Sequence, residues 1–491
     1  MIKKKLAIFS KISITSIIGT AANIVKIKCF ALVLGVYGFG IVSQLINLSL
    51  FVTFISTFGL PLGIIKVVSE LESNNDWAGV NALLKKTFVI LGFFSLFLMT
   101  AVIVFAKDIS VILYGTDEYS MYVLLFGFSV PFIAILAIYD SILRSFKKFT
   151  EYSKVSILIT LVTTALAIVL VLIYNINGVA LNFILSGLVS TIIYTIFLHK
   201  KRFIVFRDIL RSSTKNTHFK GLFLIGIASL LMSIMDYSNL IYLRSLIIKD
   251  FGILSNGIYQ TIFSISNNYL GIFGMITGVY AIPVLASIKD DVKFNSEINS
   301  QLKIFILCLV PIIISIYVLR EIIIVTLFSK EFVGASDLFF FNLFGDLFKT
   351  LGTIFGLWLI PKSKIKTLVL FNFVYNAVYF IFYYYLIKFS NFQLVGVTIA
   401  YMIGSAFFMI VSLVYSLTKN NFSFEKGNIK LLVTSFIAII VVFMISKFYL
   451  YSGYLCFVPI LILWLYISLT NSDIFKIYDF LKFKKKSDNL D

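Results

Sequence analysis

Long apolar runs alternate with short polar clusters along almost the whole chain. A membrane-spanning helix needs about 20 mainly apolar residues, and the pattern predicts about fourteen such segments. They are 12–34, 41–66, 87–106, 119–143, 155–174, 179–198, 221–243, 255–288, 304–319, 334–360, 368–387, 394–417, 431–446 and 454–470. The pattern therefore predicts an all-α polytopic membrane protein.

Lys and Arg residues lie mainly on one side of these segments. If the N-terminus is cytoplasmic, the inner connections carry 31 of the 42 Lys and Arg residues, and the outer connections carry 7, among them Arg244. The positive-inside rule then predicts both termini in the cytoplasm and a multi-pass protein of the cell inner membrane. A formal net charge of +19 also suits nucleic acid, but basic clusters between apolar runs are explained by topology. We therefore expect anionic membrane lipids as partners, and no nucleic acid.

Short motifs recur in the two halves of the chain. FGIVS at 39–43 matches FGILS at 251–255 with an offset of 212, and KDISV from Lys107 matches REIII from Arg320 with an offset of 213. Six spans separate equivalent points, so two pseudo-symmetric six-helix lobes would share one orientation. The predicted divisions are a first lobe at 1–198, a basic cytoplasmic loop at 199–220, a second lobe at 221–417, and two further helices with a basic cytoplasmic tail at 418–491.

Composition and motifs argue against an enzyme. Hydrophobic residues make up 60% of the chain and charged residues 13%, unlike a soluble protein. The two histidines, His199 and His218, lie in one loop without metal-ligand spacing, and no phosphate-binding glycine loop is present. Three widely spaced cysteines predict free thiols. We expect a transporter without a metal or cofactor, with H⁺ or Na⁺ as candidate coupling ions.

Polar and ionisable residues within the spans are the candidate site. An intramembrane charge costs at least about 2.5 kcal/mol, so it should face a partner or water. The candidate cavity residues are Asn23, Lys26, Lys28, Asp236, Asn267, Asn268, Asp346 and Lys349. Lys66, Asp140 and Arg144, at cytoplasmic span ends, are candidate gate or entry residues.

Each candidate also has a structural interpretation. Two residues apart on a helix, Lys26 and Lys28 point about 200° away from each other; Lys26 is the favoured cavity residue, while Lys28 could snorkel to the outer interface. Asp236 has no basic neighbour one turn away, so its partner should come from another helix, with Lys26 and Lys349 as the candidates.

The remaining candidates keep two interpretations. Asp346 and Lys349 at i, i+3 could form a structural ion pair or take part in transport. The amides of Asn267 and Asn268 suit sugar hydroxyls or phosphate, but they could also join helices. Lys66 and Arg144 could be lipid-headgroup anchors, and Asp140 with Arg144 at i, i+4 could be a surface pair.

Three stretches resemble a known family. LGVYGFG at 34–40 and FGLPLGIIKVVSE at 58–70 resemble the opening LGPxGYG motif and the following stretch of polysaccharide and O-antigen flippases. FGILSNGIYQTIFSI at 251–265 resembles the start of the second lobe in that family. These flippases belong to the multidrug/oligosaccharidyl-lipid/polysaccharide (MOP) exporter superfamily. Val36 replaces the usual Pro, and a turn role is expected for Gly35, Gly38 and Gly40.

The resemblance implies two six-helix bundles that form a V around a cationic cavity and alternate between inward-facing and outward-facing states. The implied substrate is an undecaprenyl-pyrophosphate-linked oligosaccharide, flipped from the cytoplasmic to the outer leaflet for O-antigen, capsule or another surface polysaccharide. The implied partners include a polysaccharide polymerase and a chain-length regulator. The family's basic residue in the first span corresponds to Lys26.

Three other functions remain open at this point. A multidrug/cation antiporter of the same superfamily would use acidic residues in one lobe, yet the first-lobe spans offer only Asp140. A lipid II flippase has a similar number of spans. A polysaccharide polymerase or ligase needs a large periplasmic loop, and the outer connections here are too short for one.

Overall fold

A computed structural model describes residues 2–146, 149–201, 203, 206–212, 219–288, 290–362, 364–448 and 450–468. Within these residues every regular element is a helix. The α-helices are α1 (Ile2–Ser56), α2 (Pro61–Ser73), α3 (Trp77–Val104), α4 (Ala106–Tyr114), α5 (Ser120–Gly127), α6 (Val130–Ser145), α7 (Phe149–Lys200), α8 (Phe206–Arg211), α9 (Phe219–Ile276), α10 (Ile282–Ser287), α11 (Asp291–Val318), α12 (Arg320–Leu327), α13 (Phe339–Phe355), α14 (Ile365–Phe389), α15 (Gln393–Asn420), α16 (Lys426–Phe448) and α17 (Leu450–Ser468). A π-helical turn spans Thr277–Ala281, and 3₁₀ helices span Lys330–Leu338 and Leu357–Leu359.

Three of the longest helices are each divided by one residue with a non-helical backbone. The breaks are at Gly35 in α1 (φ 61°, ψ −172°), Asn175 in α7 (φ 50°, ψ −130°) and Gly252 in α9 (φ 85°, ψ 167°). Glycine enters this region without a steric penalty, and Asn tolerates a positive φ better than most residues. Each of these helices therefore consists of two helical segments.

The helices account for the predicted membrane segments. Among the described residues, eight helices are long and apolar enough to cross a membrane, or nine if α5 and α6, bent by 45°, form one span. That count takes the broken helices α1 and α7 as one span each. Every predicted segment overlaps a helix. The all-α membrane fold is confirmed, and the number of fourteen crossings stays a prediction.

The chain divides into two compact units. The first contains the described residues of Met1–Asn268, Ile324–Ala335 and Asn372–Ala400. Two apolar clusters form its core, one around Leu83 and Ile142, the other around Leu45 and Phe126. All four side chains are fully buried.

The short helix α8 lies in the predicted basic loop and packs on the first unit. Ile209 joins the apolar cluster around Leu83. The Nζ of Lys85 donates to the carbonyl oxygens of Leu210 (2.7 Å) and Ser212 (2.9 Å). These contacts attach the start of the loop to α3. Residues 213–218 of the loop, including His218, and the predicted cytoplasmic tail from 469 onwards lie outside the described residues.

The helical segments that follow the two glycine breaks approach each other closely. A Cβ atom on Gly40 would lie 2.4 Å from the carbonyl oxygen of Ile253, and one on Gly257 would lie 2.1 Å from the carbonyl oxygen of Val36. No side chain fits at either glycine unless the backbones move apart. We call Val36, Gly40, Ile253 and Gly257 the glycine crossing.

The crossing gives the two halves a structural correspondence. Gly40 and Gly257 are 217 positions apart, and the breaks at Gly35 and Gly252 have the same spacing. The motif match FGIVS/FGILS has an offset of 212, so it is shifted by five residues from the equivalent positions in space.

The glycines of LGVYGFG do not share one role. Gly35 breaks the helix, as expected. The turn role predicted for Gly38 and Gly40 is wrong, because both lie within the helical segment that follows the break. Gly40 serves close helix packing instead.

The second unit contains the described residues of Tyr269–Ile323, Ser336–Phe371 and Tyr401–Asp491. Within it, the ring of Tyr317 on α11 stacks on Phe443 of α16 with the centroids 3.8 Å apart. The Nε1 of Trp464 on α17 donates to Ser435 Oγ at 3.2 Å. These contacts attach α16 to α11 and α17 to α16. The predicted division into two lobes, a linking loop and a C-terminal section stays a prediction.

Candidate functional site

Lys26 lies in the first segment of α1, nine residues before the break at Gly35. At the rise of an α-helix this is about 14 Å along the axis. The side chain is half-buried. No hydrogen bond or ion pair to another described residue satisfies its ammonium group. A lysine head group carries three donors, and none of them has a partner among the described residues.

Two predicted site residues meet one turn away from Lys26. Asn23 Nδ2 donates to Asn268 Oδ1 at 3.2 Å, joining the first segment of α1 to α9. Each amide has hydrogen-bonding groups beyond this one contact. Asn267, the neighbour of Asn268, is exposed. The structure therefore brings Asn23 and Asn268 together, with Lys26 at i+3 on the same helix as Asn23.

Lys28 has a different environment from Lys26. Its Nζ donates to the carbonyl oxygen of Val325 at 3.5 Å and to that of Thr326. These carbonyls belong to the last turn of α12, where the helix dipole favours a cation. The charge of Lys28 is thus bound by the protein's own backbone rather than left for a ligand.

Asp236 has partners from another helix, as predicted, but they are neutral amides rather than lysines. Its Oδ1 accepts hydrogen bonds from Asn372 Nδ2 at 3.0 Å and from Asn376 Nδ2 at 2.7 Å, both on α14. Asn239 Nδ2 donates to Asn376 Oδ1 at 3.0 Å, and the hydroxyl of Tyr383 donates to Asn239 Oδ1 at 2.8 Å. Asp236 itself is exposed at the end of this polar chain.

Asp346 lies in the second unit and is completely buried. Its carboxylate accepts hydrogen bonds from the hydroxyl of Tyr401 at 2.8 Å, from Asn342 Nδ2 at 3.3 Å and from the hydroxyl of Tyr269. Lys349 is exposed, with its Nζ 5.7 Å from the ring centroid of Tyr401. Three helices converge on Asp346, which favours a structural role for this carboxylate.

The three gate candidates divide into a pair and a single residue. Arg144 Nη2 lies 2.8 Å from Asp140 Oδ2, so the i, i+4 pair forms. Tyr152 accepts a hydrogen bond from Arg144 at 3.0 Å, and Tyr194 donates to Asp140 at 3.4 Å. Lys66 is exposed on α2. The roles of all three in entry stay predictions.

Sequence reasoning misplaced one arginine. Arg244, counted in an outer connection, lies within α9 and is 0% exposed. Its Nη1 donates to Ser43 Oγ at 3.0 Å and to Asn256 Oδ1 at 3.1 Å. A hydropathy pattern ends a span where a cation occurs, so the predicted span ended at residue 243, although the helix continues beyond Arg244. The available signal was the spacing of Asn256 and Gln260, two amides at i, i+4 in an apolar segment.

Lys26 and the two amides suit one kind of ligand. A single positive charge beside neutral donors and acceptors favours an anionic group that also carries hydroxyls. The arrangement can hold and orient such a group.

Comparison with known proteins identifies the family. Residues 30–337 match a protein-family model described as "Polysaccharide biosynthesis protein", which covers more than half of the chain. The chain belongs to the polysaccharide biosynthesis protein family. This family member is also 28% identical over 130 residues to the lipid III flippase of Escherichia coli (strain K12). That match spans 26% of this chain and 31% of the E. coli protein.

Solved structures show the fold of this family member. An inward-facing multidrug resistance MATE family transporter of the MOP superfamily matches 84% of this chain and 98% of its own, with TM-score 0.68 and 16% identity. The lipid II flippase MurJ in an inward closed conformation matches 94% of this chain and 98% of its own, with TM-score 0.67 and 17% identity.

A third solved structure has the same fold. It is a MOP superfamily transporter from Pyrococcus furiosus, described as having a binding pocket of reversed polarity; the match covers 85% of this chain and 96% of that one, with TM-score 0.65 and 14% identity. Together these matches show that the chain has the fold of these transporters.

Proposed function

We propose that this polysaccharide biosynthesis protein is a flippase rather than an enzyme. Its cargo is an undecaprenyl-pyrophosphate-linked oligosaccharide, moved from the cytoplasmic to the outer leaflet of the inner membrane. The family match, the similarity to a lipid III flippase and the fold shared with a lipid II flippase support this proposal. The observation that carries it is the ammonium group of Lys26, which has no partner among the described residues.

The proposed site binds the headgroup and leaves the lipid tail in the bilayer. Lys26 acts as a point charge on the pyrophosphate. Asn23 and Asn268, joined to each other, have further donors and acceptors for phosphate oxygens or sugar hydroxyls. An intramembrane charge is costly when unpaired, so an anionic headgroup stabilises Lys26 as Lys26 stabilises the headgroup. Alternating access then moves the bound headgroup across without making or breaking a covalent bond.

The energy source and the protein partners are separate predictions. The exposed carboxylate of Asp236 can accept a proton or serve as an oxygen ligand of a hard cation, so coupling to Na⁺ or H⁺ is consistent with the proposal. The dependence of flipping on Na⁺ or on a pH gradient in proteoliposomes tests it. Association with a polymerase and a chain-length regulator, and a role in O-antigen, capsule or another surface polysaccharide, also stay predictions.

The test of the proposal is complementation of a deletion strain. We expect the strain to accumulate lipid-linked oligosaccharide on the cytoplasmic face and to lose its surface glycan. Wild-type protein should restore export, whereas Lys26→Ala should abolish it, because the headgroup then loses its counter-charge. Lys107→Ala, at an exposed lysine of α4 away from the site, is the matched control and should restore export.

The other outcomes separate the rival functions. Full export by Lys26→Ala, at wild-type protein levels, removes Lys26 from the mechanism. Accumulation of lipid II instead of the oligosaccharide lipid identifies a lipid II flippase. A normal surface glycan with altered sensitivity to cationic drugs identifies a multidrug antiporter.

A further inference from the structure

A buried arginine joins three helical segments of the first unit. Arg244 donates from Nη1 to Ser43 Oγ and Asn256 Oδ1, and from Nη2 to Gln260 Oε1. The rings of Tyr259 and Phe263 lie 5.1 Å and 4.9 Å from its Cζ. All its described partners are neutral, and the Nε of Arg244 has no partner within the described residues. A full charge is therefore buried with no carboxylate among its described partners.

The arginine lies directly beside the glycine crossing. Asn256 Nδ2 donates to the carbonyl oxygen of Gly40 at 2.8 Å and to Ser43 Oγ at 2.9 Å. Ser43 Oγ in turn donates to the carbonyl oxygen of Gly40 at 2.7 Å. One polar network thus connects Arg244 with both helical segments of the crossing. Its bonds to Ser43 and to the carbonyl oxygen of Gly40 form only while the two segments touch, whereas the bonds from Arg244 to Asn256 and Gln260 lie within α9.

The chemistry of this network suits a contact that opens. Burying a guanidinium among neutral groups is costly, and a hydrophobic core would be the stable choice for a permanent contact. When the segments separate, water regains access to the guanidinium and offsets the lost hydrogen bonds. Because the glycines have no side chains, the two backbones pack closely without interlocking side chains at these positions. The segments can therefore separate without repacking large side chains.

We propose that the glycine crossing is a closure point that opens during each transport cycle, and that Arg244 is the positioning residue that clamps it shut. The role of this opening in a transport cycle rests on the proposed function. The opening itself can be measured without a substrate.

The first experiment measures how accessible the crossing is. Ser43, which is 1% exposed, is changed to Cys, and its reaction with a membrane-impermeant maleimide is followed in intact cells and in inverted vesicles. Protein retaining only Cys29, Cys308 and Cys456 gives the background labelling. Adding Gly257→Ala places a Cβ 2.1 Å from a carbonyl oxygen and should raise the labelling rate at least tenfold.

The matched control lies on the same helix. Gly271→Ala adds a methyl group where no atom lies within 4 Å, and it should change the labelling rate less than twofold. Equal rates for Gly257→Ala and Gly271→Ala in folded protein would overturn the proposal.

The clamp is tested at Arg244 itself. Arg244→Met removes the three hydrogen bonds and should raise labelling of a Val36→Cys reporter, which leaves the Ser43 hydroxyl in place, several-fold from the same membrane side as Gly257→Ala. Arg244→Lys retains the charge and one or two of the hydrogen bonds. Its labelling rate should therefore lie between the rates of the Arg244→Met protein and of the protein with Arg244. Unchanged labelling in a folded Arg244→Met protein would show that Arg244 does not clamp the crossing.

A crosslink tests whether opening is needed for transport. Ser43→Cys with Asn256→Cys replaces two side chains in direct contact, and oxidation or mercury should join them. Export should stop on crosslinking and return after treatment with a thiol reductant. Continued export by fully crosslinked protein would overturn the closure role. If instead no variant, including wild type, exports the oligosaccharide, the proposed function fails while the labelling results still decide whether the crossing opens.

Discussion

Lys26 and Lys28 are two positions apart on α1 and meet different surroundings. Residues at this spacing point to nearly opposite sides of a helix. Lys28 is held by backbone carbonyls at the end of α12, whereas Lys26 has no partner in the described part of the chain. Lys28 therefore joins α1 to α12, whereas the role of Lys26 in binding a ligand stays a prediction.

Asp346 is predicted to stabilise the fold of the second unit. Its buried carboxylate accepts hydrogen bonds from groups on three helices, including Tyr401 and Asn342. Asp346→Ala leaves these donors unsatisfied, which should lower the free energy of unfolding by about 3 kcal/mol. Thermal unfolding of the purified protein in detergent measures this change. Asp337→Ala, at an exposed carboxylate nearby, is the control, and equal melting temperatures for the two variants would refute the structural role.

The sequence indicated which polar residues were unusual but not which of them meet. Asn23 and Asn268 are 245 positions apart, and Asp236 lies 136 positions from Asn372. Such contacts depend on tertiary packing, which a single sequence does not encode as a local pattern. A lysine partner was expected for Asp236 because of its negative charge. Two amides satisfy the same carboxylate instead, at a lower desolvation cost than a lysine.

The three helix breaks determine where one helical segment ends and the next begins within α1, α7 and α9. Gly35 and Gly252 each end one helical segment and begin another that enters the glycine crossing. Asn175 likewise separates two helical segments of α7, but this residue has a side chain. The φ and ψ angles of all three fall in a region that favours glycine strongly, so the side chain of Asn175 is a source of strain.

Substitutions at two breaks should change stability in opposite directions. Gly252→Ala places a Cβ at φ 85° and should cost about 1–3 kcal/mol, although no atom obstructs the new methyl group. Asn175→Gly should relieve strain and gain about 1 kcal/mol. Melting temperatures in detergent report both changes. A loss of stability on Asn175→Gly would show that the Asn side chain makes a contact worth more than the strain.

Apolar runs located the long helices because burial in lipid demands about 20 apolar residues per span, whereas the short helices α8 and α12 lie outside the predicted segments. Boundaries were less certain. The segment predicted at 304–319 belongs to a helix that begins at Asp291, since polar residues extend α11 beyond its apolar part. The glycine breaks were visible as residues, but only the backbone shows that Gly35 breaks its helix and Gly40 packs within one.

For the whole chain, the distribution of positive charge is the main topological signal. Moving Arg244 from an outer connection into a buried position leaves six Lys and Arg residues on the outside against 31 inside. The correction therefore strengthens the predicted orientation. It also shows that a cation in an apolar protein can mark an internal contact rather than a membrane surface.

Reporter fusions test the orientation. Alkaline phosphatase fused after Glu118 should be active, because the three predicted crossings that follow a cytoplasmic N-terminus place this connection outside. Fusions after Asp290 and after Asp491 should be at least tenfold less active, since the reporter folds only outside the cytoplasm. High activity at Asp491 would mean an odd number of crossings and a wrong count of fourteen.

The glycine crossing has a consequence for the origin of the chain. Each of its two sides has a glycine break, a carbonyl and a packing glycine, and equivalent residues are 217 positions apart. Gly40 approaches the carbonyl oxygen of Ile253, and Gly257 approaches that of Val36, the residue equivalent to Ile253. A contact in which residue i meets j and j meets i is the kind found across a twofold axis between identical subunits. A half-length ancestor with one copy of the motif would already have carried a self-complementary surface, so gene duplication would have preserved an interface rather than created one.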